Sequence, residues 1–405
     1  MTSNAIRSST SLRRLIQPAA LVALGLASTV ALADAPICEP KAFVTTLATF
    51  APYGQPVAAP LQASDGNLYG TTFDGGSTGN GMVYKLTTSG VWTILHSFAG
   101  PGDGSAPMTA LIQGSDGALY GSTLGGAKSL TSTWGALFKI TLDGTFTLLH
   151  AFKTDGSEGC DPSNLIQASD GNFYGTTAAS DCSSAATGTV FKITPAGVLT
   201  ILHRFSGSEQ PFPGGGVVQA ADGYLYGLTG GTFYRISLSG SFAVLAKTGG
   251  ENLLIGPNGT FYALSLGSGY DWGSVFQITP TTTYVLDGLK VVKETTYPVT
   301  TLHSFSSPDA ASSLTLASDG SLYGTTVNQL SGYGTIFRVI PGGGGYSLLF
   351  TFDSSDGADG QGIAQGSDGT FYGAAFGGEP GLIFSMYIAC VPPLHTAAPA
   401  KPSRR

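Results

Sequence analysis

Three carboxylates at three-residue steps, Asp353, Asp356 and Asp359, stand in the stretch Asp353-Ser354-Ser355-Asp356-Gly357-Ala358-Asp359-Gly360. Calcium takes several oxygen donors, so this stretch is the chain's candidate metal loop, although it lacks the full pattern of a calcium-binding loop. Further acidic residues are spread along the chain: Asp74, Asp103, Asp155, Glu158, Asp161, Asp181, Glu209, Asp271, Asp309 and Glu379. A pair such as Asp155 and Glu158 has the residue types for acid/base cleavage of a glycosidic bond, but the sequence does not set their separation. His96, His150, His203 and His303 recur in a Leu-His-x-Phe phrase. A catalytic base is needed once, so this recurrence reads as a structural strand position. A phosphate loop ending in Gly-Lys-Ser/Thr and His-Glu-x-x-His are missing, and no catalytic or cofactor-binding residue is assigned.

The elements that must position these residues come from an internal repeat. Ser64-Asp65-Gly66-Asn67-Leu68-Tyr69-Gly70 returns as Ser115-Asp116-Gly117-Ala118-Leu119-Tyr120-Gly121 and as Ser169-Asp170-Gly171-Asn172-Phe173-Tyr174-Gly175. It continues at Asp222-Gly223, Asn258-Gly259, Asp319-Gly320 and Asp368-Gly369, giving seven copies. Each copy divides into four short β-type segments, shown by the third: 164–168, 172–177, 189–194 and 198–205. Asp-Gly makes the first tight turn, because glycine accepts a positive φ and Asp takes local backbone hydrogen bonds. Four antiparallel strands per copy, repeated seven times, predict an all-β, seven-bladed β-propeller.

The ends of the chain are out of phase in a way that tests this reading. Copy seven ends at its third strand, near Ile383-Phe384-Ser385-Met386-Tyr387, while Phe43 to Phe50 ahead of copy one matches the fourth-strand segments. The segment 42–50 is therefore expected to complete the last blade and leave no open sheet edge between first and last blades. Cys38 precedes that strand and Cys390 follows the last third strand, so a Cys38–Cys390 disulfide is expected, worth about 4 to 5 kcal/mol on the loop-entropy model. Cys160 enters blade three and Cys182 lies between its second and third strands; those connections share a face, which makes Cys160–Cys182 the second expected bridge. The domain plan is a signal peptide over 1–33, a propeller over 34–391 with an insertion at 281–298 in blade five, and a flexible tail over 392–405. Copies four and five deviate most, and the insertion, with Lys290, Lys293 and Glu294, reads as an extra hairpin.

Arg7, Arg13 and Arg14, an uncharged run from Leu15 to Ala33 and the Ala31-Leu32-Ala33 pattern have the order of a secretory signal peptide. Removing those three arginines leaves 15 basic against 25 acidic residues, which argues against nucleic-acid binding driven by phosphate neutralisation. No second long apolar run is present, so no membrane span is expected in the mature chain. With 11% charged residues, 42% hydrophobic residues and 59 glycines in 405 positions, disorder and long-helix architectures are excluded. The expected location is secreted or periplasmic, with the cell surface as an alternative, and the expected state is a monomer.

The run Gln167 to Thr177, followed by Gly188 to Thr194 and Leu202-His203-x-Phe205, resembles the GloVer tandem repeat of exported bacterial choice-of-anchor proteins, and more distantly regulator-type propeller repeats. The resemblance spans roughly 42 to 388. It implies an exported repeat protein, often retained at the surface by a variable C-terminal signal, and it brings no catalytic residues with it. The tail here has no apolar anchor, a departure from that pattern. The leading functional expectation is a non-enzymatic module that binds a protein or glycan through one acidic loop face. A propeller hydrolase or lyase acting on carbohydrate with face carboxylates is the alternative, and a structural cell-surface protein is a third.

Overall fold

The computed structural model describes residues 39–391 apart from 51–53, 101, 126–133, 179–186, 210–212, 266–271, 288–289, 307–308, 329–332, 354–358 and 377–380. Glu39–Val391 forms one unit, built from seven four-stranded antiparallel sheets arranged as a seven-bladed propeller. Blades 1 to 6 span 61–97, 112–151, 160–204, 213–246, 251–304 and 309–351. Blade 7 takes three strands from 359–391, and its outermost strand is the first of the chain, Glu39–Thr49. Ala42 lies opposite Ile388, Phe43 opposite Tyr387 and Thr49 opposite Leu382, so the ring closes as the phase of the repeats predicts. The pairing runs further, to Glu39 opposite Val391. Cys38, the segment 1–33 and the tail 392–405 lie outside the described residues.

Local chemistry explains the repeated strand pattern. Gly66 sits at φ 81° and Gly171 at φ 79°, the left-handed conformation that the Asp-Gly turn requires. In the second strand, a Cβ on Gly175 would lie 2.7 Å from Cζ of Phe191, so glycine is what lets the neighbouring strand's aromatic ring close over the backbone. Between third and fourth strands a bulge recurs: Val83 faces His96 and Tyr84 faces Ile94, leaving Leu95 as the extra residue. The same shift falls beside Leu149, Leu202 and Leu302. By breaking strict alternation, the bulge turns Leu and His together toward the next blade.

The core is a set of wedges between blades rather than a single centre. One wedge joins Tyr69, Val83 and Phe98 of blade 1 to Leu119, Phe138 and Ile140 of blade 2. Another joins Ile383 and Tyr372 of blade 7 to Leu68, Met82 and Tyr84 of blade 1, with Phe50 between them. Burial at about 25 cal/mol per Å² is the main force holding each seam. The insertion in blade 5 is a two-stranded hairpin, Thr281–Asp287 paired with Lys290–Thr296, whose side chains are exposed along nearly its whole length.

Candidate functional site

The turn aspartates organise one end of each blade. Asp65 accepts from the Tyr69 hydroxyl at 2.8 Å and from Lys85 Nζ at 3.0 Å, and Asp170 does the same with Tyr174 and Lys192. Asp319 takes Tyr323 and Arg338. Burial pushes these carboxyls up, but the hydrogen bonds outweigh it and hold Asp65 well below the usual range and Asp170 down to about 2. The cations also lie over the tyrosine rings, Lys85 at 5.4 Å and Arg338 at 5.7 Å from the centroids. These recurring aspartates are thus consumed by the fold.

Two further devices latch blade to blade. At the turn end, the Ser64 amide donates to Oε1 of Gln113 in the next blade at 2.9 Å, while Gln113 Nε2 donates to the Gly117 carbonyl. The same latch joins Ser115 to Gln167, Ser169 to Gln219, Ser318 to Gln365 and, across the closure, Ser367 to Gln62. At the loop end, His96 bonds Asp103 at 3.0 Å, His150 bonds Glu158 at 2.9 Å and His203 bonds Glu209 at 3.3 Å. His96 also stacks on Phe146 of the next blade at 3.9 Å, His203 on Phe242 at 3.7 Å and His303 on Tyr346 at 3.7 Å. The repeated histidines are therefore inter-blade clamps.

This arrangement uses up much of the acidic loop set. Asp103, Glu158 and Glu209 serve the histidines, Asp74 accepts from the Gln55 amide and Asp155 from the Ser157 amide. Burial pushes Glu158 up, but bonds from His150 and Lys153 outweigh it and hold its carboxyl below the usual range. Asp161, Asp309, Asp353 and Asp359 also carry interactions inside the protein. Asp181, Asp271, Asp356 and Glu379 lie outside the described residues, and the calcium reading of Asp353, Asp356 and Asp359 turns on that missing member. Among the described residues no cluster of three metal-ligating side chains is present. No described cysteine is a free thiol, and Cys38 and Cys182 lie outside the described residues. The cavity at the propeller axis, about 300 Å³, is lined by small and neutral residues such as Ala59, Ala110, Asn164, Asn252 and Ser313.

The seam between blades 4 and 5 breaks every one of these rules. Ile255 stands where the accepting glutamine recurs, and Ala246 where the histidine recurs. On the far side of blade 5, Pro257 has no amide hydrogen to donate and Leu316 no acceptor, although His303 still stacks there. Among the described residues, seam 4–5 alone of the seven has neither latch nor clamp. Its apolar wedge persists, with Phe233 against Phe261 at 5.1 Å. Glu251 lies on the inner strand of blade 5 beside this seam; its carboxyl has no hydrogen-bond partner among the described residues, and burial pushes it up.

A cavity of about 490 Å³ opens at that seam, walled by Gln219, Asp222 and Arg235 of blade 4, Pro257 and Phe261 of blade 5, and Thr282, Lys293, Thr295 and Tyr297 at the inserted hairpin. This lies within the roughly 300 to 1,000 Å³ of small-molecule sites. Gln219, Asp222 and Phe261 keep the repeat, while Pro257 and the hairpin residues depart from it. The sequence marks copies four and five as deviant and singles out Lys293, but not Arg235 or Ile255, whose significance lies in what each replaces.

The fold and its latches define a closed, seven-bladed repeat propeller. Residues 39–234 match the family model of the Gloeobacter/Verrucomicrobia repeat. That stretch, just under half of the chain, carries the GloVer-type repeat, and the seven-bladed propeller is consistent with it. No curated protein matches it in sequence. Among solved structures, it is similar to an oligogalacturonate lyase from Vibrio parahaemolyticus, with a TM-score of 0.53 and 12% identity over 86% of this chain and 96% of that one. It is also similar to the extracellular domain of a putative hybrid two-component system from B. thetaiotaomicron, with a TM-score of 0.51 and 11% identity. That match covers 82% of this chain and 40% of the other. At these identities the likeness is one of fold. Among the described residues, no helix is long and apolar enough to cross a membrane.

Proposed function

We propose that this chain is an exported, non-enzymatic binding module whose ligand occupies the seam between blades 4 and 5, with the inserted hairpin as one wall. The observation that carries this reading is the coincidence of the 490 Å³ cavity with the one seam lacking both latch and clamp among the described residues. A seam of a repeat that loses its own bridging groups exposes polar and aromatic surface that a ligand can cover. Commitment of the described loop carboxylates to histidines and backbone amides favours binding over acid/base catalysis. Export is supported by the 1–33 segment and by the repeat family. In that setting we propose Cys38–Cys390 and Cys160–Cys182 as the bridges; Cys390 lies opposite Pro40 in the closing strand pair.

The test is a calorimetric screen of glycans and secreted proteins against three forms: the wild type, Ile255→Gln, and a variant whose 280–298 segment is replaced by a short turn like that at 87–91. A ligand of this seam binds the wild type and is weakened in both variants. Ligands indifferent to both changes, or a saccharide that is cleaved on incubation, would remove the reading.

A further inference from the structure

Four blades carry a cation on the third strand that is bonded to the turn aspartate: Lys85 at 3.0 Å, Lys139 at 2.7 Å, Lys192 at 3.1 Å and Arg338 at 3.0 Å. Blade 4 keeps both residue types but not the bond. Asp222 accepts from the Tyr226 hydroxyl at 2.7 Å and the Tyr224 amide at 3.1 Å, while Arg235 has moved over the Tyr224 ring, 4.7 Å from its centroid. Tyr224 occupies a turn position that holds Asn67, Ala118 or Asn172 in the first three blades, so the aromatic ring offers the guanidinium an alternative seat. Among the described residues Arg235 has no carboxylate partner; it interacts with the Tyr226 side chain and lines the cavity.

A second cation comes from an element the other blades lack. In the hairpin, Lys293 lies opposite Tyr284 and Thr282 opposite Thr295, so Thr282, Lys293 and Thr295 share the face that lines the cavity. Glu294 alternates to the other face, and Lys293 has no ion pair among the described residues. Two cations without an ion pair among the described residues, from distant parts of a chain of net charge -7, therefore meet at one cavity. Around them stand the rings of Tyr226, Phe261 and Tyr297, the hydroxyls of Thr282 and Thr295, and the remaining acceptor capacity of Asp222.

Resting on the seam as the binding site, we infer that its ligand is an acidic saccharide: a pyranose unit bearing a carboxylate or sulfate. Arg235 and Lys293 take the anionic group, with the guanidinium fork suited to two parallel hydrogen bonds. The half-buried ring of Tyr297 covers the apolar face of the sugar, and the threonines and Asp222 meet its hydroxyls. A neutral sugar leaves both cations unpaired, and an anion without a ring leaves the aromatic wall uncovered.

The experiment is titration calorimetry of the intact protein with glucuronate, glucose 6-sulfate and glucose at low and high salt. At least one anionic probe is expected to bind about tenfold or more tighter than glucose, with affinity falling as salt rises. Arg235→Gln and Lys293→Gln each lower that affinity about tenfold, the equivalent of one charge-assisted hydrogen bond, and leave the melting temperature unchanged. Glu294→Gln, on the other hairpin face, leaves affinity unchanged. The ratio between the two anionic probes separates carboxylate from sulfate. Anionic probes that bind no tighter than glucose, or that ignore Arg235→Gln, overturn the inference. If glucose then binds and Ile255→Gln weakens it, the seam stands as the site and only its charge preference falls. If no probe binds and Ile255→Gln changes nothing in the wider screen, both fall.

Discussion

Seams 2–3 and 4–5 are built from the same repeat and bury similar apolar wedges, yet they are closed in opposite ways. At seam 2–3 the Ser115 amide meets Gln167, and His150 holds Glu158, which is only 8% exposed and also accepts from the Lys153 amide. At seam 4–5 the glutamine is Ile255, the histidine is Ala246, and the space is left as a cavity edged by Arg235 and Lys293, neither in an ion pair among the described residues. The difference teaches that the polar repeat residues are not what holds the ring together, since the apolar wedge at 4–5 suffices. They fix how tightly each joint is shut, and one joint has been left open.

The sharpest way to test that contrast is to unlatch the tight seam. Glu158→Ala removes a buried carboxylate and strands His150 and the Lys153 amide; a loss of about 3 kcal/mol is expected in chemical denaturation. A loss no larger than that of an exposed-loop substitution would mean the clamp contributes nothing beyond the wedge. A control independent of the seams is the buried hydroxyl of Tyr84 and of Tyr234, each without a hydrogen-bond partner among the described residues, at a position held by phenylalanine in the other five blades. Tyr84→Phe and Tyr234→Phe should each stabilise by about 1 kcal/mol, because an unsatisfied polar atom is removed with little change of shape. Unchanged or lower stability would show that the hydroxyls are satisfied.

Closing the open seam is the complementary change. Ile255→Gln supplies the missing acceptor to the Ala221 amide, and about tenfold slower hydrogen exchange at Ala221 is expected, close to one hydrogen bond. Exchange as fast as in the wild type would show that more than one residue separates the two seams. The smallest effect concerns Glu251. Burial pushes its carboxyl up, so the folded state holds the proton more tightly than the unfolded chain. Its contribution is complete below the usual value of 4.5 and is lost as pH rises through the folded value. Glu251→Gln should therefore raise the melting temperature at neutral pH and not below the unfolded carboxylate range. A pH-independent effect would assign it to packing instead.

The blades and their closure are legible in the sequence because they depend on local chemistry: Asp-Gly turns, glycine under an aromatic ring, and an orphan fourth strand at 42–50. The histidine clamps are only half legible. His96, His150 and His203 repeat in register, but their partners Asp103, Glu158 and Glu209 follow at unequal distances in variable loops, so the sequence presents them as a free acidic face. The open seam is harder still. Its signal is substitution by ordinary residues, Ile255 for glutamine and Ala246 for histidine, and an absence is visible only once the latch it cancels is known. Arg235 matches the repeated cation perfectly in sequence; only the ring of Tyr224 reveals that it has left its aspartate.

The outermost strand of blade 7 is the earliest part of the propeller to leave the ribosome, and its partner, Leu382–Val391, is nearly the last. Throughout synthesis the first-made strand has nothing to pair with, and the circle stays an open arc of blades. The finished circle is thus a checkpoint on completeness: a chain stalled or clipped short of that partner strand keeps two sticky rims and offers itself to quality control rather than to a ligand.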